Sequence, residues 1–304
     1  MSSTPDKKTP IGIKGFLTLT LINMVGSLPL GVARGLGAFI GWACWQVKDK
    51  GSKVTLENIR LCYPDKTDEE RYQLSRASVI ETGRLAAEIC VIQKHSFEWL
   101  KPKLLKVVGE DLIKEEIAKG KGLILLAPHI GNWEVLSLTL PTYGELTALY
   151  QPPKQAYLEG LIKRAREKTG ATLVPTNRRG IVKLLSSLKN GGITAVLPDQ
   201  NPGKGHGEFS PFFGHPAYTM TTVHGFAQRS KCSIIMGLVK RVPGGFETHF
   251  FKAPDGIDSP ELDVSLAALN KGVEECIAHC PEQYQWEYKR FKNIPPGGEP
   301  RYLF

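Results

Sequence analysis

The sequence lacks the residue patterns on which several common kinds of active site depend. Its six cysteines show no pairwise metal-binding spacing, and the four-residue separation of Cys276 and Cys280 fits ordinary packing on one helix face. His206, His215 and His224 have neither a convergent spacing nor a nearby acidic partner, as a zinc site would need. No serine or cysteine lies in a recognisable nucleophile elbow. The sequence therefore predicts no metal, no cofactor and no covalent intermediate on a serine or cysteine.

Internal repeats and low-complexity tracts are absent as well. With 304 residues and 41% hydrophobic content, the chain can bury a full core, and one large domain is expected rather than two small ones. The net charge of +9 suits an acidic protein partner or an anionic membrane surface, and we expect no nucleic-acid partner. Free thiols fit a catalytic domain in the reducing cytosol.

The N-terminal region contains two long stretches without charge. Gly15–Ala33 spans nineteen residues, which is long enough to cross or enter a bilayer, and Gly35–Val47 carries two tryptophans of the kind that anchor at a membrane interface. We therefore expect residues 1–50 to form a retained membrane anchor that contains a transmembrane helix. Pro29 leaves a shallow hairpin or an interfacial helix pair open, and a cleaved signal peptide or a buried core helix is a further alternative.

From residue 51 onward the pattern becomes helical and then alternates between strands and helices. Thr67, with Glu70 three positions later, predicts the capped start of a helix. The later alternation of short apolar runs with amphipathic segments is typical of a mostly parallel central sheet flanked by helices, so residues 51–304 are expected to form one α/β domain. The predicted strands are Leu123–Ala127, Leu146–Tyr150, Thr172–Pro175, Ile193–Leu197, Ser233–Val239 and Phe246–Lys252, and the predicted helices are Glu134–Leu140, Ala156–Lys168, Ile181–Lys189 and Leu262–His279.

His129 and Glu134 follow directly from the first of these strands, in the run Ala-Pro-His-Ile-Gly-Asn-Trp-Glu. Because four residues separate them, the two side chains would diverge on a continuous helix, and we expect them to straddle a turn. There the carboxylate can hold one imidazole nitrogen while the other takes a proton from a hydroxyl group. The pattern alone is weak, because a hydrogen-bonded histidine at a strand end and a carboxylate at a helix N-terminus give the same spacing.

Other charged residues are candidates for the same site. Asp199 follows a strand in the same sense as His129, at the edge where open α/β sheets bind ligands, and a turn-capping aspartate is the alternative. Arg164 and Arg166 flank the apolar face of the helix Ala156–Lys168, so that either could reach the site, and both also fit surface arginines.

Donors for a substrate anion come from two further places in the sequence. Asn132 lies in the predicted turn and is a candidate for contacting the substrate or a developing oxyanion. Arg178 and Arg179 open a helix after Asn177, where arginines and backbone amides form a plausible cradle for phosphate. A solvated basic turn accounts for these two arginines equally well.

Four blocks of the sequence resemble one known family. They are Ala127–Glu134, Pro198–Gly203, Phe209–Pro216 and Pro281–Lys292, and they are similar to blocks of the bacterial lipid A biosynthesis acyltransferases, the late or secondary acyltransferases. The resemblance extends over nearly the whole chain and implies a fold like that of the glycerolipid acyltransferases. The glycine-rich, aromatic composition of Gly203–Pro216 itself predicts a loop, and such a loop could close over an acyl chain.

The resemblance implies roles for particular residues. The catalytic His-x4-Asp/Glu dyad of the family falls on His129 and Glu134, and its functional aspartate falls on Asp199. Its functional arginine falls on Arg166 or Arg164.

The resemblance further implies the substrates and the location. Similar proteins move a fatty acyl group from acyl carrier protein to a hydroxyl group of an acyl chain on a Kdo-containing lipid A precursor, in lipopolysaccharide biosynthesis. We therefore expect a protein bound to lipids of the bacterial inner membrane, with its catalytic domain on the cytoplasmic face. The alternatives are transfer to another lipid such as a lysophospholipid or an ornithine lipid, a thioesterase, and a membrane-tethered binding protein whose dyad is structural.

Overall fold

The computed structural model describes residues 12–304, so the start of the predicted 1–50 anchor lies outside the described residues. The helices are α1 (Ile13–Gly26), α2 (Leu30–Gln46), α3 (Lys50–Cys62), α4 (Asp68–Lys94), α5 (Phe97–Leu100), α6 (Glu110–Ala118), α7 (Glu134–Thr139), α8 (Ala156–Glu167), α9 (Arg178–Lys189), α10 (Thr222–Ser230) and α11 (Leu262–His279). The strands are β1 (Leu104–Val108), β2 (Leu123–Leu126), β3 (Thr147–Tyr150), β4 (Thr172–Pro175), β5 (Ile193–Val196), β6 (Gly207–Phe212), β7 (His215–Met220), β8 (Ser233–Val242) and β9 (Gly245–Lys252).

A five-stranded sheet in the order β1-β9-β8-β2-β5 forms the centre of the molecule. Neighbouring strands run parallel except for β8 and β9, which form an antiparallel hairpin, so the sheet is mixed although mostly parallel. Leu123 and Leu125 of β2 pack on one face of the sheet, and Ile124 and Leu126 pack on the other. All four side chains are fully buried, because helices cover both faces, as the continuous apolar run of a central parallel strand requires.

Two further pairs of strands flank the central sheet. The parallel pair β3–β4 joins β5 through one bridge, between Leu146 and Ile193. The antiparallel pair β6–β7 occupies most of the segment Gly203–Pro216, so the expectation of a loop there is wrong. The two strands pair in unbroken register from Gly207 opposite Met220 to Phe212 opposite His215, and Phe212 lies in the core.

The uncharged stretch Gly15–Ala33 is not one helix. Helix α1 ends at Gly26, and Pro29 precedes the first residue of α2, where its fixed backbone angle suits a new helix start. Between residues 12 and 304, no helix combines the length and the apolar character that crossing a bilayer requires. The predicted transmembrane helix is therefore not found, and the region forms a pair of shorter helices.

Helix α2 packs closely along α4 through small residues. A Cβ atom added at Gly37 of α2 would lie 2.3 Å from the carbonyl oxygen of Gly83 in α4, and one added at Gly41 would lie 2.5 Å from that of Val79. The two backbones can approach this closely because these positions of α2 carry no side chain. The other side of α1 and α2 exposes large apolar side chains, which are Ile13, Phe16, Leu17, Leu21, Met24, Val32, Leu36, Phe39, Ile40 and Trp42.

Most of the helices and strands predicted after residue 51 are confirmed, with ends shifted by a few residues. The capping box of Thr67 and Glu70 forms at the start of α4. Helix α9 begins at Arg178 rather than Ile181, because Asn177 caps it. Strand β1 and helices α6 and α10 have no counterpart among the predicted elements.

Candidate active site

His129 and Glu134 lie on either side of a tight turn between β2 and α7, as predicted. Glu134 is the first residue of α7, and His129 lies in the loop after β2. Gly131, inside the turn, has a φ of 57°, and a Cβ atom there would lie 1.8 Å from the carbonyl oxygen of Val239 in β8. The N–H of Asn132 donates to this carbonyl at 2.9 Å. The turn is thus fastened to the central sheet, and its geometry requires glycine at position 131.

Asp199 holds the imidazole of His129. Its Oδ1 lies 2.8 Å from Nδ1 of His129, and its Oδ2 accepts the backbone N–H of His129 at 2.9 Å. The two residues meet because β2 and β5 are parallel neighbours, so that both loops leave the same edge of the sheet. The expectation that Glu134 holds the imidazole is not met, because Glu134, at the start of α7, has a different partner.

The charge of Asp199 is stabilised by this arrangement. Burial alone would raise the pKa of Asp199, but the positive charge of His129 and the hydrogen bonds from it outweigh burial and lower the pKa. An ionised Asp199 accepts a hydrogen bond from Nδ1–H of His129, so Nε2 is the nitrogen that can take up a proton from a substrate. Burial and the negative charge of Asp199 raise the pKa of Tyr284 well above its usual value, so Tyr284 remains a neutral phenol.

Glu134 forms a two-point ion pair with Arg166 of α8. Nε and Nη2 of Arg166 lie 3.1 Å and 2.5 Å from the two carboxylate oxygens. Although burial opposes its charge, the neighbouring Glu134 raises the pKa of Arg166. Arg164 is exposed to solvent, so Arg166 is the arginine that the fold brings to Glu134.

The second imidazole nitrogen of His129 faces Gln200. Nε2 of Gln200 lies 3.2 Å from Nε2 of His129, and the same amide nitrogen lies 3.4 Å from Oε1 of Gln285. Since Nδ1–H points at Asp199, the imidazole Nε2 is the acceptor in this contact. Trp133 packs edge-on against the imidazole, with 4.7 Å between the ring centroids. The imidazole is therefore held on three sides.

Asn132 points into the protein interior. Its Nδ2 donates to Glu88 of α4 at 3.0 Å, and this carboxylate is fully buried. Glu88 also accepts hydrogen bonds from Nε of Arg34 at 2.5 Å and from Nε of Arg241 at 2.8 Å. Three donors thus surround one buried carboxylate, as a buried charge requires, and they connect the turn to α2, α4 and β8. The amide nitrogen that we predicted for a substrate oxygen is already engaged here.

Comparison with known proteins identifies the family. The chain matches the family model described as bacterial lipid A biosynthesis acyltransferase over residues 4–293. This chain belongs to the bacterial lipid A biosynthesis acyltransferases. Its relatives include the lipid A biosynthesis lauroyltransferase of Escherichia coli K12, which is 24% identical over 94% of each chain. The lipid A biosynthesis palmitoleoyltransferase of the same strain is 25% identical over 91% of this chain and 90% of its own length. A lipid A biosynthesis acyltransferase of Haemophilus influenzae is 27% identical over 75% and 72% of the two chains.

A small apolar cavity of this acyltransferase lies beside the ion pair of Glu134 and Arg166. It has a volume of about 90 Å³, and its lining consists mainly of alanine and leucine side chains, among them Ala127, Leu146 and Leu173. Such a lining suits hydrocarbon better than water.

The basic start of α9 lies apart from the contacts around His129 in this acyltransferase. Arg178 and Arg179 are both exposed to solvent. The side chain of Asn177 accepts the N–H of Gly180 at 3.1 Å, so one amide of the predicted anion cradle is already capped. The two arginines therefore present charge at the surface and make no contact with the imidazole.

Sequence reasoning missed three residues around the candidate active site of this acyltransferase. Gln200 contacts the basic nitrogen of His129, Gln285 accepts a hydrogen bond from the amide of Gln200, and Glu88 supports the turn. The position of Gln200 directly after Asp199 was the feature of the sequence that could have indicated it. Glu88 offered a weaker signal, namely a carboxylate on the apolar side of α4, and nothing in the spacing indicated Gln285.

Proposed function

We propose that this acyltransferase transfers a fatty acyl chain from acyl carrier protein to a hydroxyl group of an acyl chain on a Kdo-containing lipid A precursor. His129 is the general base. Its Nε2 takes the proton of the acceptor hydroxyl while the hydroxyl oxygen attacks the carbonyl carbon of the thioester. The tetrahedral intermediate then collapses, the carbon–sulfur bond breaks, and the proton passes to the thiolate of the carrier. Transfer is direct, without an ester to the enzyme.

The observation that carries this proposal is the double contact of Asp199 with His129. One carboxylate oxygen binds Nδ1 and the other binds the backbone N–H, so both the tautomer and the orientation of the ring are fixed. The negative charge of Asp199 also stabilises the imidazolium that forms when Nε2 accepts the proton. Asp199 thereby takes the orienting role that the sequence pattern suggested for Glu134.

Glu134 acts through Arg166 in this proposal. The two-point contact uses Nε and Nη2 of the guanidinium group, and Nη1 is left to contact a substrate oxygen. Because Glu134 raises the pKa of Arg166, the guanidinium stays charged when a substrate displaces water from it. Arg166 is thus a candidate for stabilising the oxyanion of the tetrahedral intermediate.

The acceptor is a lipid, and the exposed apolar faces of α1 and α2 suit contact with a membrane surface. Large side chains such as Phe39, 62% exposed, and Met24, 64% exposed, would be costly in water. We propose that these helices lie in the interface of the bacterial inner membrane, on its cytoplasmic face, where acyl carrier protein is available.

A purified preparation tests the proposed reaction. With dodecanoyl-acyl carrier protein and a Kdo-containing lipid A precursor, mass spectrometry should show a product heavier by one acyl chain. His129→Ala should lower turnover by about a hundredfold or more, because general-base catalysis contributes at least that much. His279→Ala, at an exposed histidine on the last turn of α11, is the matched control and should retain activity. Full activity of His129→Ala would refute the mechanism, and the absence of the heavier product with wild-type protein would refute the proposed acceptor.

A further inference from the structure

Gln200 occupies the position that the reaction assigns to the acceptor hydroxyl. In the proposed mechanism, the hydroxyl proton must point at Nε2 of His129, yet the amide of Gln200 lies 3.2 Å from that nitrogen. An imidazole nitrogen has a single in-plane lone pair and accepts one such donor at a time. The acceptor can therefore reach the base only by displacing Gln200.

Hydrogen bonds hold the side-chain amide of Gln200 beside His129, and a bound acceptor can replace them. Its Nε2 donates both to His129 and to Oε1 of Gln285, which fixes the amide with nitrogen toward the base. Gln285 is itself fastened, because its backbone N–H donates to the carbonyl oxygen of His129 at 3.0 Å. The contacts at 3.2 Å and 3.4 Å are long for hydrogen bonds, so the binding energy of a large acceptor is enough to displace them.

We propose that Gln200 is a specificity-determining residue that keeps water away from His129 until the lipid acceptor displaces it. The proposal rests on the proposed function of His129. Water and the acceptor hydroxyl are chemically similar nucleophiles, but only the acceptor carries remote groups whose binding energy can drive the displacement. A donor thioester bound alone is therefore protected from hydrolysis.

The side reaction that Gln200 suppresses is hydrolysis of the donor thioester. A water oxygen attacks the thioester carbonyl carbon while Nε2 of His129 takes a water proton. The carbon–sulfur bond then breaks, and the leaving thiolate receives the proton. The products are a free fatty acid and the carrier thiol, and no further reactant is needed.

Two substitutions at this one position should act in opposite directions. Gln200→Ala removes the donor from Nε2, and acceptor-free hydrolysis of dodecanoyl-pantetheine should rise roughly three- to tenfold, as expected for one ordinary hydrogen bond. The ratio of hydrolysis to transfer should rise with it when the lipid A precursor is added. Gln200→Glu has nearly the same shape but presents an acceptor to Nε2, which favours an imidazole with a proton on that nitrogen. Hydrolysis and transfer should then both fall, because the base is blocked.

Controls and a spectroscopic measurement make the test decisive. Gln73→Ala, at an exposed position of α4, should change neither rate, and Gln200→Ala combined with His129→Ala should lose the added hydrolysis. In substrate-free protein, Gln200→Ala should shift the ¹⁵N resonance of the His129 Nε2, which loses its donor, more than that of Nδ1, which keeps Asp199.

The outcomes separate this proposal from the proposed function. Unchanged acceptor-free hydrolysis in Gln200→Ala, or equal rates for Gln200→Ala and Gln200→Glu, would overturn the role of Gln200 even if wild-type protein acylates the precursor. Failure of wild-type protein to acylate the precursor would overturn the proposed acceptor. In that case the hydrolysis rates and the ¹⁵N resonance would still decide whether Gln200 shields the base.

Discussion

Both carboxylate oxygens of Asp199 contact a single histidine, His129, so the replacement of Asp199 by asparagine is informative. Asparagine has one acceptor oxygen and one amino group, and it can satisfy only one of the two N–H groups of His129. Asp199→Asn is therefore expected to misplace the imidazole and to lower turnover by about a hundredfold or more. Turnover with acyl-pantetheine measures the effect, and Asp65→Asn, at an exposed aspartate, is the control. An active Asp199→Asn enzyme would mean that Asp199 does not orient the base.

The same residue makes stability depend on pH. The pKa of Asp199 is lower in the folded protein than the value of about 3.9 that is typical of unfolded chains. Its stabilising contribution is then present above that unfolded-state pKa and is lost as the pH falls through the folded-state pKa. The Tm difference between wild type and Asp199→Asn should be full near neutral pH and should shrink below about pH 4. A difference that stays constant down to pH 3 would contradict this linkage.

The contact between helices α2 and α4 depends on glycine at defined positions. A Cβ atom at Gly37 would lie 2.3 Å from the carbonyl oxygen of Gly83, whereas one at Gly35, in the same helix, would meet no atom within 4 Å. Gly37→Ala should therefore destabilise the protein by about 1–3 kcal/mol, as overpacking does. Gly35→Ala should be neutral or stabilising, because alanine favours helix. Thermal unfolding compares the two, and equal Tm values would show that α2 does not pack on α4 as described.

This helix contact also affects the active site. Arg34 of α2 reaches the buried Glu88, which holds Asn132 in the turn beside His129. Removing one partner of a buried ion pair costs about 3–5 kcal/mol, because a charge is left uncompensated. Glu88 of α4 thus links helix α2 to the turn beside His129.

We propose that the exposed apolar face of helices α1 and α2 attaches the protein to the membrane. Phe39 and Ile40 are 62% and 51% exposed, and burying each in a bilayer interface would contribute roughly 1.5–3 kcal/mol. Replacing both with glutamate should lower sedimentation with vesicles of phosphatidylethanolamine and phosphatidylglycerol by about tenfold or more. Val182→Glu, at an exposed apolar position of α9, is the control. Equal vesicle binding by all three proteins would place the membrane contact elsewhere.

Docking of the acidic carrier should depend on the basic surface of α8 and α9. Arg178 and Lys183 are exposed, and such charges steer association more than they add affinity. Arg178→Glu with Lys183→Glu, or added salt, should raise the KM for acyl carrier protein far more than that for acyl-pantetheine, with kcat little changed. The matched control is Lys121→Glu with Lys231→Glu. These two exposed lysines precede the amino-terminal ends of β2 and β8, whereas His129 follows the carboxyl end of β2. An equal loss with both donors would indicate that the α9 charges bind phosphates of the acceptor instead.

The sequence by itself determined the local structure and pointed to His129 as the proposed general base. The apolar run of β2, the break at Gly131 and the start of α7 at Glu134 are set by neighbouring residues, so the α/β alternation and the turn around His129 could be predicted. The partners of these side chains could not. Asp199 reaches His129 only because β5 lies beside β2, and Glu134 reaches Arg166 only because α8 packs near α7. Likewise, Pro29 indicated a break in the N-terminal stretch, but packing decided how closely α2 approaches α4. Residues far apart in the chain meet through strand order and helix packing, which the periodicity of a single segment does not specify.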